Sequence, residues 1–405
     1  MIPAIGLKTI SFLLLFPAVS LHAQLAVKGE TVYTMAGDPI PDGIVLIKNG
    51  KITAVGRAGE ISVPADYRFL SAKVVTPGLI DAHSVVGLAG IYNQPHDQDQ
   101  LDKSAPIQPE LRALDAYNPR EDLVEWLRNL GVTTLHTGHA PGALISGQSI
   151  IVKTGGATVE QALIDSSAML TVTLGASVGQ NFDSPGTRSK GVAMLRSEFL
   201  KAQDYLKKKQ AKDASKRPAR DLKMEALGEA LSGRLPVLIT ANRVTEISSA
   251  LRLAKEFNLK LILDGAAEAY LLLEEIKTAG VPVIIHPTMA RHWGDTQNAS
   301  FETAAKLKDA GIRFAFQGGY ESYVPKTRVV LYEAAVAAAN GLGFQEALAA
   351  LTIDSARILG VDNRVGSLKA GKDADLVLFN GDPFEYLTRV CAVIINGEVV
   401  HDVCR

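Results

Sequence analysis

Four histidines stand at or just beyond the ends of short apolar runs. His83 closes Gly78–His83, His136 closes Val132–His136 with His139 three residues on, and His286 closes Pro282–His286. If these runs are strands, His83, His136 and His286 face one arc of a common rim and offer a three-imidazole site for one divalent ion, zinc first, with His139 as a further donor. Such a site leaves a position open for a water whose pKa the metal lowers. Asp264, at the end of Lys260–Asp264, or the loop carboxylate Asp97 would then be the general base. His96 and Asp99 flank Asp97, and Asn242 and Gln317 lie at the ends of two further runs; these four are the candidate substrate contacts. A plainer role stands beside each. Strand-end histidines commonly hydrogen-bond a neighbouring carbonyl or carboxylate, and a Gln/Asp-rich loop is stable when merely solvated. On that reading no metal is bound.

Other chemistries are poorly supported. Ser146 and Ser149 lack a nucleophile-elbow context. Gly138-His-Ala-Pro-Gly142 and Gly155-Gly156 lack phosphate-loop spacing.

Eight candidate strands alternate with helical stretches: Gly78–His83, Val132–His136, Ser149–Lys153, Met169–Leu174, Pro236–Thr240, Lys260–Asp264, Pro282–His286 and Arg313–Gln317. Gly131, Gly280 and Gly311 precede three of them as helix-stop glycines. Eight strands joined by helices favour a closed (β/α)8 TIM barrel over residues 76–361 in an α/β protein. Both chain ends read differently. Residues 24–75 and 362–405 alternate apolar and polar positions around Asn49-Gly50 and Asn396-Gly397, a hairpin pattern, and are expected to meet in one small β-sandwich domain.

The only cysteines, Cys391 and Cys404, flank the second Asn-Gly pair. An ideal register sets Cys391 opposite Asp402 and makes Cys404 a diagonal neighbour at about 7–8 Å, which argues against a disulfide unless a bulge or frayed end intervenes. The first 23 residues carry a cation at Lys8, an apolar run from Ile10 to Leu21 and a small residue before Gln24. They describe a secretory signal peptide cleaved near Ala23, an uncleaved anchor being the alternative, so the protein is expected to be exported, periplasmic or secreted, and not an integral membrane protein. A net charge of −1 over 405 residues gives no electrostatic reason to expect nucleic acid. The basic run Lys207-Lys208-Lys209 to Lys216-Arg217 is expected to be a solvated helix with a surface loop, a docking patch being the less favoured reading.

Val74-Val-Thr-Pro-Gly-Leu-Ile-Asp-Ala-His83 resembles the first barrel strand of the amidohydrolase superfamily, and Val365 to Leu378 its return into the small β-domain. Gly131-Val-Thr-Thr134 is similar to the second strand and Thr352 to Gly360 to the last barrel helix, and the imidazolonepropionase-like members look nearest. The resemblance implies hydrolysis of a carbon–nitrogen bond in a small molecule by one or two divalent metals at the barrel rim. It also implies a ligand set that this chain departs from: Val85, Thr240, Gly265 and Gly319 occupy slots where histidines or an aspartate are usual, and Thr171 is the match to a usual lysine. Of that set only His83 remains. Two accounts follow, an amidohydrolase with a rebuilt site on the other histidines, or an inactive paralogue that binds a ligand or partners an active homologue. A homo-oligomer is compatible with either.

Overall fold

A computed structural model describes residues 24–92, 94–320 and 329–404. The segment read as a signal peptide lies outside the described residues. Four strands open the chain, β1 Leu25–Val32, β2 Ile40–Lys48, β3 Lys51–Arg57 and β4 Arg68–Pro77. Ten short strands follow in the middle: β5 Leu79–Ser84, β6 Val132–Thr137, β7 Ile145–Gln148, β8 Ile150–Lys153, β9 Leu163–Asp165, β10 Leu170–Thr173, β11 Val237–Ala241, β12 Leu261–Gly265, β13 Val283–Ile285 and β14 Phe314–Ala315. Three more close the chain, β15 Leu376–Phe379, β16 Val390–Ile395 and β17 Glu398–Asp402.

Both chain ends do meet. Their strands form one hydrogen-bonded sheet in the order β17-β16-β15-β4-β1-β2-β3, in place of two separate sheets. Both predicted Asn-Gly turns are present with positive φ at each residue, 53° and 76° at Asn49-Gly50 and 51° and 76° at Asn396-Gly397. Left-handed dihedrals at both central positions match the twist of the flanking strands, which is why Asn and Gly are needed there. Leu25, Val27, Ile47, Val75, Leu376 and Ile394 form the core of one face of this sheet.

In the same hairpin the ideal register fails. Cys391 and Cys404 are disulfide-bonded, with Cα atoms 4.6 Å apart. Pairing slips between Val393 and Ile394, so Ala392 faces Asp402 and the Cys391 carbonyl accepts from the Val403 amide at 2.9 Å. One extra residue on the outer strand shifts every later position. Cys404 also lies past the end of β17, where the chain is free to turn toward Cys391.

The middle is α/β. Each of the eight expected strands appears within a few residues of its expected bounds. Strands β10 to β14 are parallel neighbours, joined by β7 into a six-stranded sheet, while β5, β6, β8 and β9 form a second sheet of four. The departures from an all-parallel order are confined to β7, β8 and β9. β8 runs antiparallel to β6, and β7 antiparallel to β10. Only residues 138–144 separate β6 from β7, too few for a crossover helix, so the chain must reverse. The two sheets are bridged by hydrogen bonds, Ser149 N–H to Met169 O at 2.9 Å on one side and Ala82 N–H to Phe316 O at 3.1 Å on the other. Ile80, Ile151, Leu238, Ile262, Ile284 and Ala315, from six of these strands, pack into one shared cluster. Residues one position along, such as Val152, Ile239 and Leu263, face the opposite way into the cluster that includes the helices. A strand's period of two puts neighbours on opposite faces, so both faces being buried explains why these runs are almost wholly apolar.

Lys207–Lys209 form the last turn of helix Arg188–Lys209, where Lys208 pairs with Asp204 and Lys209 with Glu225. That suits the solvated-helix reading. Among the described residues no helix is long and apolar enough to cross a membrane.

Candidate functional site

Asp264 organises the polar centre. It lies two residues beyond Ile262 on β12, hence on the same face, and its register partner on β11 is Thr240. The Thr240 hydroxyl donates to Asp264 Oδ2 at 2.6 Å, and Gln317 Nε2 donates to Oδ1 at 2.9 Å. The His83 ring, at the end of β5, meets the same Oδ1 through Nδ1 at 2.9 Å. A carboxylate only accepts, so Nδ1 carries the hydrogen and Nε2 is the outward ring atom. Nε2 is buried and has no hydrogen-bond partner among the described residues. Burial alone would lower the His83 pKa, but the charge and hydrogen bond of Asp264 outweigh it and hold it above 6.5. Burial likewise opposes ionisation of Asp264, and His83, Thr240 and Gln317 together hold it below the ordinary carboxylate value. Asp81, two residues before His83, accepts from the amides of His83 and Gly318, and burial pushes its pKa up to about 7.

Of the other candidate histidines, His136 and His286 are committed elsewhere. The His136 ring is 5.6 Å from that of His83, centroid to centroid. Its Nδ1 donates to the Ala82 carbonyl at 2.6 Å, so Nε2 is an acceptor and receives the Ser149 hydroxyl at 2.6 Å. Burial, with His83 nearby, lowers its pKa to about 3, so the ring is neutral. His286 donates through Nδ1 to the Pro287 carbonyl at 2.8 Å and meets Thr303 Oγ1 at 3.4 Å. His139 is buried beside Gly147, where an added Cβ would lie 2.5 Å from the ring; burial lowers its pKa against the opposing influence of Asp99 and Asp102, and among the described residues its ring nitrogens lack a side-chain partner.

The loop residues are peripheral to this centre. His96 and Asp97 belong to the short 3-10 turn Pro95–Asp97, 3.5 Å apart and with His96 exposed. Asp99 is exposed, its amide bonded to Leu88. Asn242 props the turn after β12, its side-chain oxygen accepting from Ala267 at 3.4 Å. Of the residues read from sequence, the fold therefore brings together His83, Asp264, Gln317 and, at one remove, His136. It does not link His96, Asp97 or Asp99 to them. Thr240 and Ser149 gained their importance only in three dimensions. The signal available for Thr240 was its place at a strand end level with Asp264.

A divalent ion does not fit the described donors. A catalytic site wants about three converging protein ligands and one open position. Here no three His, Cys, Asp or Glu side chains converge among the described residues. The His136 lone pair already accepts the Ser149 hydroxyl, and both oxygens of Asp264 are engaged.

Strands β10–β14 in parallel, with polar side chains at their C-terminal ends, define an α/β protein with a strand-end site, the place where such folds carry their chemistry. Comparison with known proteins narrows the class. The amidohydrolase family model matches residues 310–400. The amidohydrolase tasK of Hapsidospora irregularis is 25% identical over 395 residues, covering 89% of this chain; the chain spans only 40% of that relative's length. An imidazolonepropionase of Picrophilus torridus is 24% identical, with 90% of this chain and 93% of the relative covered. The crystal structure of an amidohydrolase from Thermotoga maritima superposes with a TM-score of 0.87 at 29% identity, covering 93% of this chain and all of its own. Over most of its length the chain is therefore similar to proteins of the amidohydrolase superfamily.

Proposed function

We propose that the protein hydrolyses a carbon–nitrogen bond, in a cyclic or dipeptide-like amide, at the rim where β5, β11, β12 and β14 end. Similarity to that superfamily supports the reaction class, and the His83–Asp264 pair carries the site. In this reading Asp264 orients the imidazole and is not itself the base, because its two oxygens are held by His83, Gln317 and Thr240. Neutral His83 accepts a proton from water at Nε2 and, once charged, returns it to the leaving nitrogen. We read the two middle sheets as arcs of one eight-stranded barrel, supported by the bridging hydrogen bonds and the shared cluster of Ile80, Ile151, Leu238 and Ile284. We read the terminal sheet as the curled equivalent of the expected sandwich, and residues 1–23 as an export signal.

A second reading keeps the pocket without catalysis, as a ligand-binding protein or the partner subunit of an active homologue. Burial favours it: His83, His136, Asp264 and His286 are at most 3% exposed, so water reaches them poorly.

The test is amine or ammonia release from a panel of cyclic amides and dipeptides, with metal content measured alongside. Hydrolysis that survives chelation and falls by about 10²-fold or more in His83→Gln is expected. Turnover undiminished in that variant removes His83 as the base. Absence of turnover, with co-purification of an active homologue, establishes the second reading.

A further inference from the structure

A second cavity shares no lining residue with the His83–Asp264 centre, although Thr173 on its wall is the register partner of Thr240. It occupies about 540 Å³ between helix Arg188–Lys209 and helix Val244–Phe257, beyond the end of β10. That volume is in the range of small-molecule sites. Arg188, Val192 and Arg196 recur at four-residue spacing and so share one helix face, as do Thr245, Ser249 and Arg252 on the other helix. Leu144, Leu174 and Val178 supply an apolar floor.

Its charge is unbalanced. Three arginines line the space against one carboxylate, Glu246. Arg188 is fixed by Glu246 at 2.7 Å, and Arg196 by both oxygens of Glu256 at 2.7 and 2.8 Å. Arg252 differs, since among the described residues its hydrogen bond is to the Ser249 hydroxyl at 2.9 Å and no acidic side chain pairs with it. A guanidinium is a planar fork of donors that matches a carboxylate edge to edge.

We propose that this cavity binds an organic monocarboxylate, its charged end on Arg252 and its apolar body against Leu174 and Val178. The site is independent of the hydrolase reading and shares no residue with it.

Calorimetric titration of the folded chain with benzoate, benzamide and inorganic phosphate tests it. Benzoate should bind one to one. Benzamide, which lacks the charge, should bind at least about tenfold more weakly, and Arg252→Gln should weaken benzoate by about the same factor. Arg252→Gln should keep the wild-type melting temperature, because Arg252 is exposed. The proposal is overturned if benzoate fails to bind at about 10 mM, a weak limit on the affinity scale. Equal binding of benzamide, tighter binding of phosphate, or benzoate binding unchanged in Arg252→Gln overturns it as well.

Discussion

At His83 the surrounding groups decide what one imidazole can do. Asp264 takes one ring nitrogen, Thr240 and Gln317 hold Asp264, and the opposite nitrogen is buried and unpartnered among the described residues. The pair is nearly solvent-free, so each member depends on the hydrogen bond it makes with the other. Removing one partner of such a pair strands the other without hydration. Asp264→Ala is therefore expected to cost about 3–5 kcal/mol in urea unfolding. Thr240→Val, which deletes a single hydrogen bond to a charged group, should cost about 1.5–3 kcal/mol. A loss below about 1 kcal/mol in Asp264→Ala would mean that the pair is not formed in solution. His136 illustrates the converse. Its position at a strand end invites a metal, but hydrogen bonds to Ala82 and Ser149 use both nitrogens, and that allocation is invisible in sequence.

Among the elements, the β16–β17 hairpin departs furthest from its ideal. Its turn was legible, because Asn-Gly between apolar runs has few alternatives. Its register was not, because a bulge between Val393 and Ile394 depends on how both strands pack on their neighbours. The bulge is what allows the Cys391–Cys404 disulfide, 13 residues apart in sequence. Thiol titration of unfolded, unreduced protein should find no free cysteine, and Cys404→Ser should cost about 2–4 kcal/mol. Two free thiols per chain would instead restore the unbulged register. The antiparallel β8 belongs here too. The eight apolar runs were readable, but strand direction follows from the length of each connection and from which neighbour is available.

Across the whole molecule, a buried cation ties the middle to the terminal sheet. Lys153, at the end of β8, is 2.8 Å from Asp373 and 2.9 Å from Asp375, and it also meets Asn396 of the β16–β17 turn. Lys51 and Arg364 add to Asp373 from the terminal region. Burial opposes ionisation of Asp373, yet Lys153 and Lys51 outweigh it and hold its pKa at about 2, below the ordinary 3.8. A carboxyl whose folded pKa is depressed contributes stability above its unfolded pKa and loses it as pH falls through the folded one. Melting temperatures should thus fall between pH 3.8 and about 2, and Lys153→Met should both flatten that decline and cost about 3 kcal/mol at neutral pH. An unchanged acid profile in Lys153→Met would show that Lys51 and Arg364 suffice.

By itself the sequence determined the periodicity: which runs are strands, where Asn-Gly turns fall, that both ends meet in one β-rich unit, and that His83, Asp264 and Gln317 stand at strand ends. These follow from local preference and from the alternation that a strand buried on both faces imposes. Only the tertiary structure decided which strand-end groups meet. Gln317 and His83 are brought to Asp264 from β14 and β5, His96 and Asp97 are left outside, and Lys153 finds its carboxylates more than 200 residues away. The physical reason is that hydrogen-bond partners are chosen by distance in space, and the register and curvature that set those distances depend on all neighbouring strands together.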